Sequence, residues 1–410
     1  MNGGGSRSIS RARGACRSFP RTVSVQGEKG RYVIDARYVR ARPSGIGSYV
    51  AALIARLPAL APEARFRLWA HQERPEPVAA PNVTCFTVPA VADGIRTLLR
   101  PSSLDQLEPT DVVHFPASLL GRGLPCASVV TMHDLMWLER AADVDARPLL
   151  HRARAKYYQF GMRNALRSAT RLIAVSHATA ERIRAVRPEA ANRVRVIHNA
   201  AGAAFVPAVD LAAARQRAAQ LVGSHAPYYV VVGKNVPYKA HRHVLEAFAR
   251  ESKPEELLVL VQRTRSGTGL AKLAERLGIS SRIRWLPTLA EGQLVSVLQA
   301  ARALVQPSRI EGFGIPVLEA MAAGCPVITS DTPSLLEVTG GAGLHAAVGD
   351  IAGLARAMRQ TRDASLCDEL RARGLERART FDWDAAAALT LEVYREAAAA
   401  GPGRGRGRHA

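Results

Sequence analysis

Cysteine is scarce and unpatterned in this sequence. The five cysteines, Cys16, Cys85, Cys126, Cys325 and Cys367, are odd in number, widely spaced and without a CxxC pair. That excludes a disulfide framework and a thiolate zinc site, and predicts scattered reduced thiols of the kind found in cytoplasmic proteins. Long apolar runs are missing as well. No stretch approaches the ~18–20 residues that cross a bilayer, and residues 1–30 lack the apolar segment of a secretory signal. Aromatic residues are only 5% of the chain, too few for the stacking platforms that bind single-stranded nucleic acid, so no nucleic-acid partner is expected. Acidic residues are outnumbered, 35 against 56 basic, for a formal net charge of +21. The excess is uneven: +5 in residues 1–30, +10 in 31–207, +3 in 208–400 and +3 in 401–410.

Patterns that would signal a bound metal or dinucleotide are also incomplete. Asp143-Val144-Asp145 and Asp382-Trp383-Asp384 spell DxD, but neither ends an apolar strand, where a metal–diphosphate site needs it. His241-Arg242-His243 has the wrong spacing for zinc and no nearby cysteine. Gly267-Thr268-Gly269 lacks the third glycine of a dinucleotide fingerprint. The expectation is a protein with no metal and no cofactor.

What is present is a long alternation of short apolar strands and amphipathic helices. A chain of 410 residues, 48% hydrophobic and 22% charged, is sized for two soluble cores. Strands are predicted at Arg31–Asp35, Phe66–Trp69, Val83–Val88, Val112–Phe115, Ser128–Met132, Arg171–Val175 and Val194–Ile197. The pattern restarts with Tyr228–Val232, Leu257–Val261, Ile283–Leu286 and Ala303–Gln306, with helices between. This is the signature of parallel sheets covered on both faces, here α/β with two doubly wound, Rossmann-like domains facing a central cleft. The expected division is a basic extension over 1–30, a first domain over 31–207 and a second over 208–383. A helix over 384–400 and a Gly/Arg tail over 401–410 complete it. The linker is expected within Ala200–Gly223, which mixes Pro and Ala with a short helical run.

The most informative stretch is Gln306-Pro307-Ser308-Arg309-Ile310-Glu311-Gly312-Phe313-Gly314-Ile315-Pro316-Val317-Leu318-Glu319. A strand ends at Gln306, a glycine-bearing loop follows, and Pro316 stands where a first helical position belongs. Such a helix points its N-terminal amides at the cleft, an arrangement suited to a phosphate. Gly312 and Gly314 leave no side chain between backbone and ligand. Glu311 before the helix and Glu319 inside it can flank one ligand, and carboxylates accept well from sugar hydroxyls.

This stretch, continued by Ala323-Gly324-Cys325-Pro326-Val327-Ile328, resembles the donor-site signature of glycosyltransferase family 4, a family of retaining enzymes with the two-domain GT-B fold. The resemblance extends over roughly residues 31–398 and is nearest to mannosyltransferases of bacterial surface-polysaccharide assembly. It implies that Glu311 touches the donor sugar, with Phe313 in the same loop, and that Glu319 holds the nucleotide ribose. Ile34-Asp35-Ala36-Arg37 with Ser44-Gly45-Ile46-Gly47 is similar to the loop beneath the donor diphosphate, which places Gly45 and Gly47 there. Met132-His133-Asp134-Leu135 is similar to the family's His-Asp motif, with His133 over the donor sugar. Lys239 matches the family's phosphate-binding cation, and Lys234 in the same loop is a second candidate. The chain departs from the pattern at four places: Tyr238 and Ser48 stand where arginine is common, Ala240 where asparagine is usual, and Gln262-Arg263 replaces a small Gly pair. The family's chemistry implies a nucleotide diphosphate sugar as donor, GDP-mannose here, and a saccharide or lipid-linked acceptor. The resemblance also implies that the last helix packs back across the first domain. Two other functions are compatible with the same fold, a nucleotide-sugar epimerase and a non-catalytic nucleotide-sugar-binding protein.

One further pattern concerns location. From Ala146 to Ala180 there is no acidic residue. On a helix Arg152, Lys156, Arg163 and Arg167 fall within about 60° of one another, opposite a stripe of Tyr158, Met162, Ala165 and Ala169. A basic face on the more basic domain predicts a cytoplasmic protein that attaches to the anionic inner face of the cell membrane.

Overall fold

The computed structural model describes residues 30–41, 44–99, 105–144, 148–262 and 268–402, without the side chains of 143, 144, 148–152 and 268. The extension and tail expected at the two ends therefore lie almost wholly outside the described residues, as does Arg263.

Two parallel sheets organise the chain. The first runs β3-β2-β1-β4-β5-β6-β7, from β1 (Arg31–Asp35), β2 (Arg65–Ala70), β3 (Val83–Thr87), β4 (Val112–Phe115), β5 (Ala127–Met132), β6 (Arg171–Ala174) and β7 (Val194–Val196). The second runs β10-β9-β8-β11-β12-β13, from β8 (Tyr228–Val232), β9 (Leu257–Val261), β10 (Ile283–Leu286), β11 (Ala303–Gln306), β12 (Val327–Ser330) and β13 (Leu344–Ala346). Strands such as Leu-Leu-Val-Leu-Val of β9 are buried along their whole length, because helices cover both faces. In each sheet the strand order reverses once, between β1 and β4 and between β8 and β11. Crevices open at the carboxyl ends of those strands. This is the GT-B arrangement.

Among the helices are α1 (Gly45–Ile54), α2 (Pro148–Ser168), α3 (His177–Val186), α4 (Leu211–Val222), α5 (His241–Glu251), α6 (Glu291–Ala300), α7 (Ile315–Ala322), α8 (Pro333–Thr339) and α9 (Trp383–Ala400). Within the stretch expected to hold the linker, the short helical run is Leu211–Val222, a helix capped by Asp210 at its start and left-handed Gly223 at its end.

The last helix, α9, lies on the first sheet. Tyr394 packs against Tyr32 (ring centroids 5.1 Å apart), Asp384 pairs with Arg56, and Glu396 pairs with Arg171 and Arg195. One DxD sequence is thereby explained as architecture: the Asp382 side chain caps α9 by accepting from the Ala385 amide, while Asp384 makes the ion pair. The four described cysteines, Cys85, Cys126, Cys325 and Cys367, are free.

Candidate active site

The first domain brings two loops to its switch point. After β1 the chain enters α1 at Gly45, because Ser44 is a true cap whose Oγ accepts from the Gly47 amide at 3.0 Å. Gly45 and Gly47 therefore form the first turn of a helix, with Gly45 exposed. Gly47 has no room for a side chain, as a β-carbon would lie 2.5 Å from the Tyr38 carbonyl. Arg37 does not reach the cleft: it is fully buried, with Nε and Nη2 each 2.7 Å from an oxygen of Asp35. The Asp35-Ala36-Arg37 part of the motif is thus a buried two-point ion pair that shapes the loop.

After β5 comes His133. Its Nε2 lies 2.8 Å from the Pro116 carbonyl and its amide donates to Ser118 Oγ at 3.0 Å. A carbonyl only accepts, so Nε2 carries the hydrogen and Nδ1 presents a lone pair. Burial pushes its pKa down to about 4, so the ring is neutral at pH 7 and suited to accept from a sugar hydroxyl. Burial likewise raises the pKa of neighbouring Asp134, which accepts from the Met136 amide at 3.0 Å.

The second domain supplies the opposing wall. Oε1 of Glu311 accepts from Lys239 Nζ (2.5 Å), Gln306 Nε2 (2.7 Å) and Ser308 Oγ (2.7 Å). Lys239 and Glu311 thus form one nearly buried ion pair that holds cation and carboxylate together at the end of β11. Lys234 is exposed beside Gly233, and no ion pair holds it among the described residues. Gly314 is the left-handed N-cap of α7 (φ 103°), with Pro316 in the first turn; only glycine takes that conformation cheaply. Glu319, within α7, is pushed up to about 8 by desolvation, with Glu291 of α6 adding to the shift. Phe313 departs from its expected role: its ring is buried against Phe381 and His198, centroids 5.7 and 5.9 Å away. Only its backbone is left for a ligand.

The two walls meet. A β-carbon on Gly312 would lie 1.6 Å from the His133 carbonyl oxygen, and the Gly312 carbonyl accepts from Ser176 Oγ (2.7 Å) and Thr179 Oγ1 (3.1 Å). Alongside, Glu337 of α8 accepts from the amides of His177 (2.7 Å) and Ala178 (2.9 Å) at the start of α3, and from His198 Nε2 (2.7 Å). His177, His198 and Glu337 hold ligand-type atoms within 4.8 Å of one another, but the carboxylate is already occupied by three N–H donors. It is a clasp between domains that caps a helix across the gap.

The sequence did not reveal this clasp, nor Gln306 and Ser308 as anchors of Glu311. Both lie in the informative stretch, and polar side chains ending an apolar strand were the available signal. Gln262 finds a role too: its side chain turns inward, with Nε2 3.1 Å from Nδ1 of buried His241.

Comparison with known proteins agrees with this geometry. The model for "Glycosyltransferase Family 4" matches residues 43–205, and that for "Glycosyl transferases group 1" matches residues 213–381. The chain belongs to glycosyltransferase family 4. It is 35% identical over 173 residues to the O-antigen chain mannosyltransferase B of Escherichia coli, covering 41% of this chain and 45% of that protein. It spans about half the length of the first curated relatives it matches. Its fold matches WaaG, a glycosyltransferase involved in lipopolysaccharide biosynthesis (TM-score 0.69, 16% identity, 88% of this chain and 99% of that one). It also matches Anabaena HepE in complex with UDP-glucose (TM-score 0.64, 17% identity, 89% and 100%). Among the described residues no helix of this family 4 protein is long and apolar enough to cross a membrane.

Proposed function

We propose that this family 4 protein is a retaining glycosyltransferase of glycan biosynthesis, with GDP-mannose as donor and a lipid-linked saccharide as acceptor. The observation that carries the reading is the opposition of Glu311, Lys239 and the start of α7 on one wall to His133 on the other. Glu311 accepts from donor-sugar hydroxyls, Glu319 from the ribose, and the α7 amides with Lys239 and Lys234 face the diphosphate. The open turn at Gly45 and the left-handed turn at Gly314 let that diphosphate approach, while Gly47 and Gly312 are glycines because the Tyr38 and His133 carbonyls fill the space a side chain would need. Charge-assisted contacts contribute about 1.5–3 kcal/mol each. They gain strength as charge develops on the leaving group, which is where catalysis needs it. The acceptor hydroxyl attacks C1 on the face the diphosphate leaves: the C1–phosphate oxygen bond breaks, the new glycosidic bond forms, and the acceptor proton passes to the departing phosphate. His133, neutral and offering Nδ1, positions the sugar. No metal or cofactor takes part in this scheme, because cations and amides of the chain supply the charge.

The similarity to an O-antigen mannosyltransferase supports the mannose donor, and the basic face of α2 supports an acceptor held at a membrane. The test is incubation of the protein with GDP-mannose, UDP-glucose and a lipid-linked saccharide, with and without excess EDTA. Transfer from GDP-mannose that survives EDTA is the expected result. Preference for UDP-glucose corrects the donor, Mg²⁺-reversible loss corrects the phosphate chemistry, and epimerised nucleotide sugar without transfer overturns the reading.

A further inference from the structure

Behind His133 lies a line of buried polar side chains that neither donor nor acceptor binding uses. Tyr394 of α9 places its hydroxyl 2.7 Å from Nδ1 of His114 on β4. Nε2 of His114 lies 2.8 Å from Thr131 Oγ1 on β5, and that oxygen lies 2.9 Å from the hydroxyl of Tyr49 on α1. All four residues are at most 2% exposed. The Tyr49 ring then meets the His133 imidazole at 90°, with centroids 5.0 Å apart, and has Trp383 of α9 at 6.0 Å on another side.

Four polar groups in a core are costly unless each finds a partner, and apolar residues of similar size would fill the same space. Here the partners are complete enough to form a chain. Burial pushes His114 down to about 3, so its ring stays neutral, with one donor and one acceptor nitrogen. It therefore accepts at one end of the relay and donates at the other, giving the chain a fixed sense and holding each ring in one orientation. The relay also joins distant parts of the sequence. Tyr394 and Trp383 belong to the helix that follows the second domain, whereas Tyr49, His114 and Thr131 belong to the first.

We propose that Tyr394, His114, Thr131 and Tyr49 are positioning residues for the transfer reaction, setting the orientation of the His133 ring and tying it to the seating of α9. None of them touches the substrate; each acts through the next, and Tyr49 through its ring against His133. This rests on the reading of His133 as the residue at the donor sugar.

The test uses the full chain with donor and acceptor. Tyr394→Phe keeps the ring and removes one hydroxyl; His133→Gln alters the residue the relay serves. Tyr394→Phe is expected to lower kcat tenfold or more. Its donor KM should change less than twofold, and its kcat should be expressed per site able to bind nucleotide diphosphate, so that misfolding cannot imitate the effect. In the His133→Gln background the same change is expected to add little. Should Tyr394→Phe fold poorly, Tyr49→Phe interrupts the other end of the relay with the same expectation. Unchanged kcat in Tyr394→Phe, with His133→Gln impaired, overturns the relay and leaves the reading of His133 standing. Near-normal turnover by His133→Gln overturns both. Losses that multiply in the double variant show that the relay acts elsewhere and overturn it.

Discussion

The carbonyl oxygen of His133 occupies the place that a β-carbon on Gly312 would take, 1.6 Å from it. Backbone cannot yield to a methyl at that distance, so the two domains can meet here only while residue 312 is glycine. Gly312→Ala is expected to hold the walls apart, and a displacement of about an ångström at a reacting centre costs on the order of a hundredfold in rate. Steady-state kinetics should show that loss. Nucleotide diphosphate binding, whose charged partners Lys239, Lys234 and the α7 amides all lie in the second domain, should fall far less. Normal turnover in this variant would mean that catalysis does not need the contact.

Glu337 makes a related prediction about closure. Burial pushes its carboxyl up, but hydrogen bonds from His198 and from the Ala178 and His177 amides outweigh that and hold it below the usual carboxylate range. A depressed carboxylate contributes stability that is present above its unfolded pKa and lost as pH falls through the folded one. Glu337→Ala removes the shared acceptor of three N–H donors; His177 is exposed and Ala178 and His198 are half-buried, so water can replace the carboxylate and each lost bond costs roughly 0.5–1.5 kcal/mol. Small-angle scattering should show a more open average shape for the variant at neutral pH, and for wild type once the pH falls below the usual carboxylate range. An unchanged scattering profile for Glu337→Ala would show that the clasp holds nothing shut.

Glu319 carries the opposite sign. Its carboxyl is raised to about 8 in the ligand-free protein, against an unfolded value of about 4.3. Between those values the native state binds the proton that the unfolded state has released, so stability falls as pH rises and is lowest above about pH 8. Glu319→Gln removes the titration. It is expected to stabilise the ligand-free protein by at least about 1 kcal/mol at pH 9, with little effect at pH 4.5, while weakening nucleotide diphosphate sugar binding. Denaturant melts at the two pH values check the first part. Identical pH profiles for variant and wild type would contradict it.

Much of the fold was legible because parallel strands buried on both faces read as continuous apolar runs, and Leu257–Val261 or Tyr228–Val232 admits little else. The glycine-rich loop before α7 was legible for a different reason, since its glycines and Pro316 are demanded by backbone geometry. What could not be read depends on partners distant in sequence. The Ile34–Arg37 motif gives no sign that Asp35 takes the Arg37 guanidinium inward. Phe313 looks like a ligand contact until Phe381, 68 residues later, covers its ring. Glu337 has no local pattern at all, because the helix it caps begins 160 residues earlier at His177.

Helix α2 turns a basic surface outward. Met162, Ala165 and Ala169 are buried, and Tyr158 stacks on Trp137 with centroids 4.7 Å apart. That fixes the rotation of the helix and leaves Lys156, Arg163 and Arg167 exposed on its other side; the Arg152 side chain lies outside the described residues. Each basic residue close to an anionic bilayer contributes about 1 kcal/mol, so these three give ~3 kcal/mol, enough for reversible attachment. The attraction decays over ~8 Å at physiological salt, which makes it salt-sensitive. The protein is expected to sediment with phosphatidylglycerol vesicles at low ionic strength, to be released by high salt, and to ignore neutral phosphatidylcholine vesicles. A variant with Lys156→Glu, Arg163→Glu and Arg167→Glu should lose vesicle binding while still using a short soluble acceptor, because none of the three lies in the donor loops. Failure of wild type to bind anionic vesicles at low salt would reduce the helix to a solvated surface. Loss of soluble-acceptor transfer in the triple variant would place these residues in acceptor recognition instead of membrane attachment.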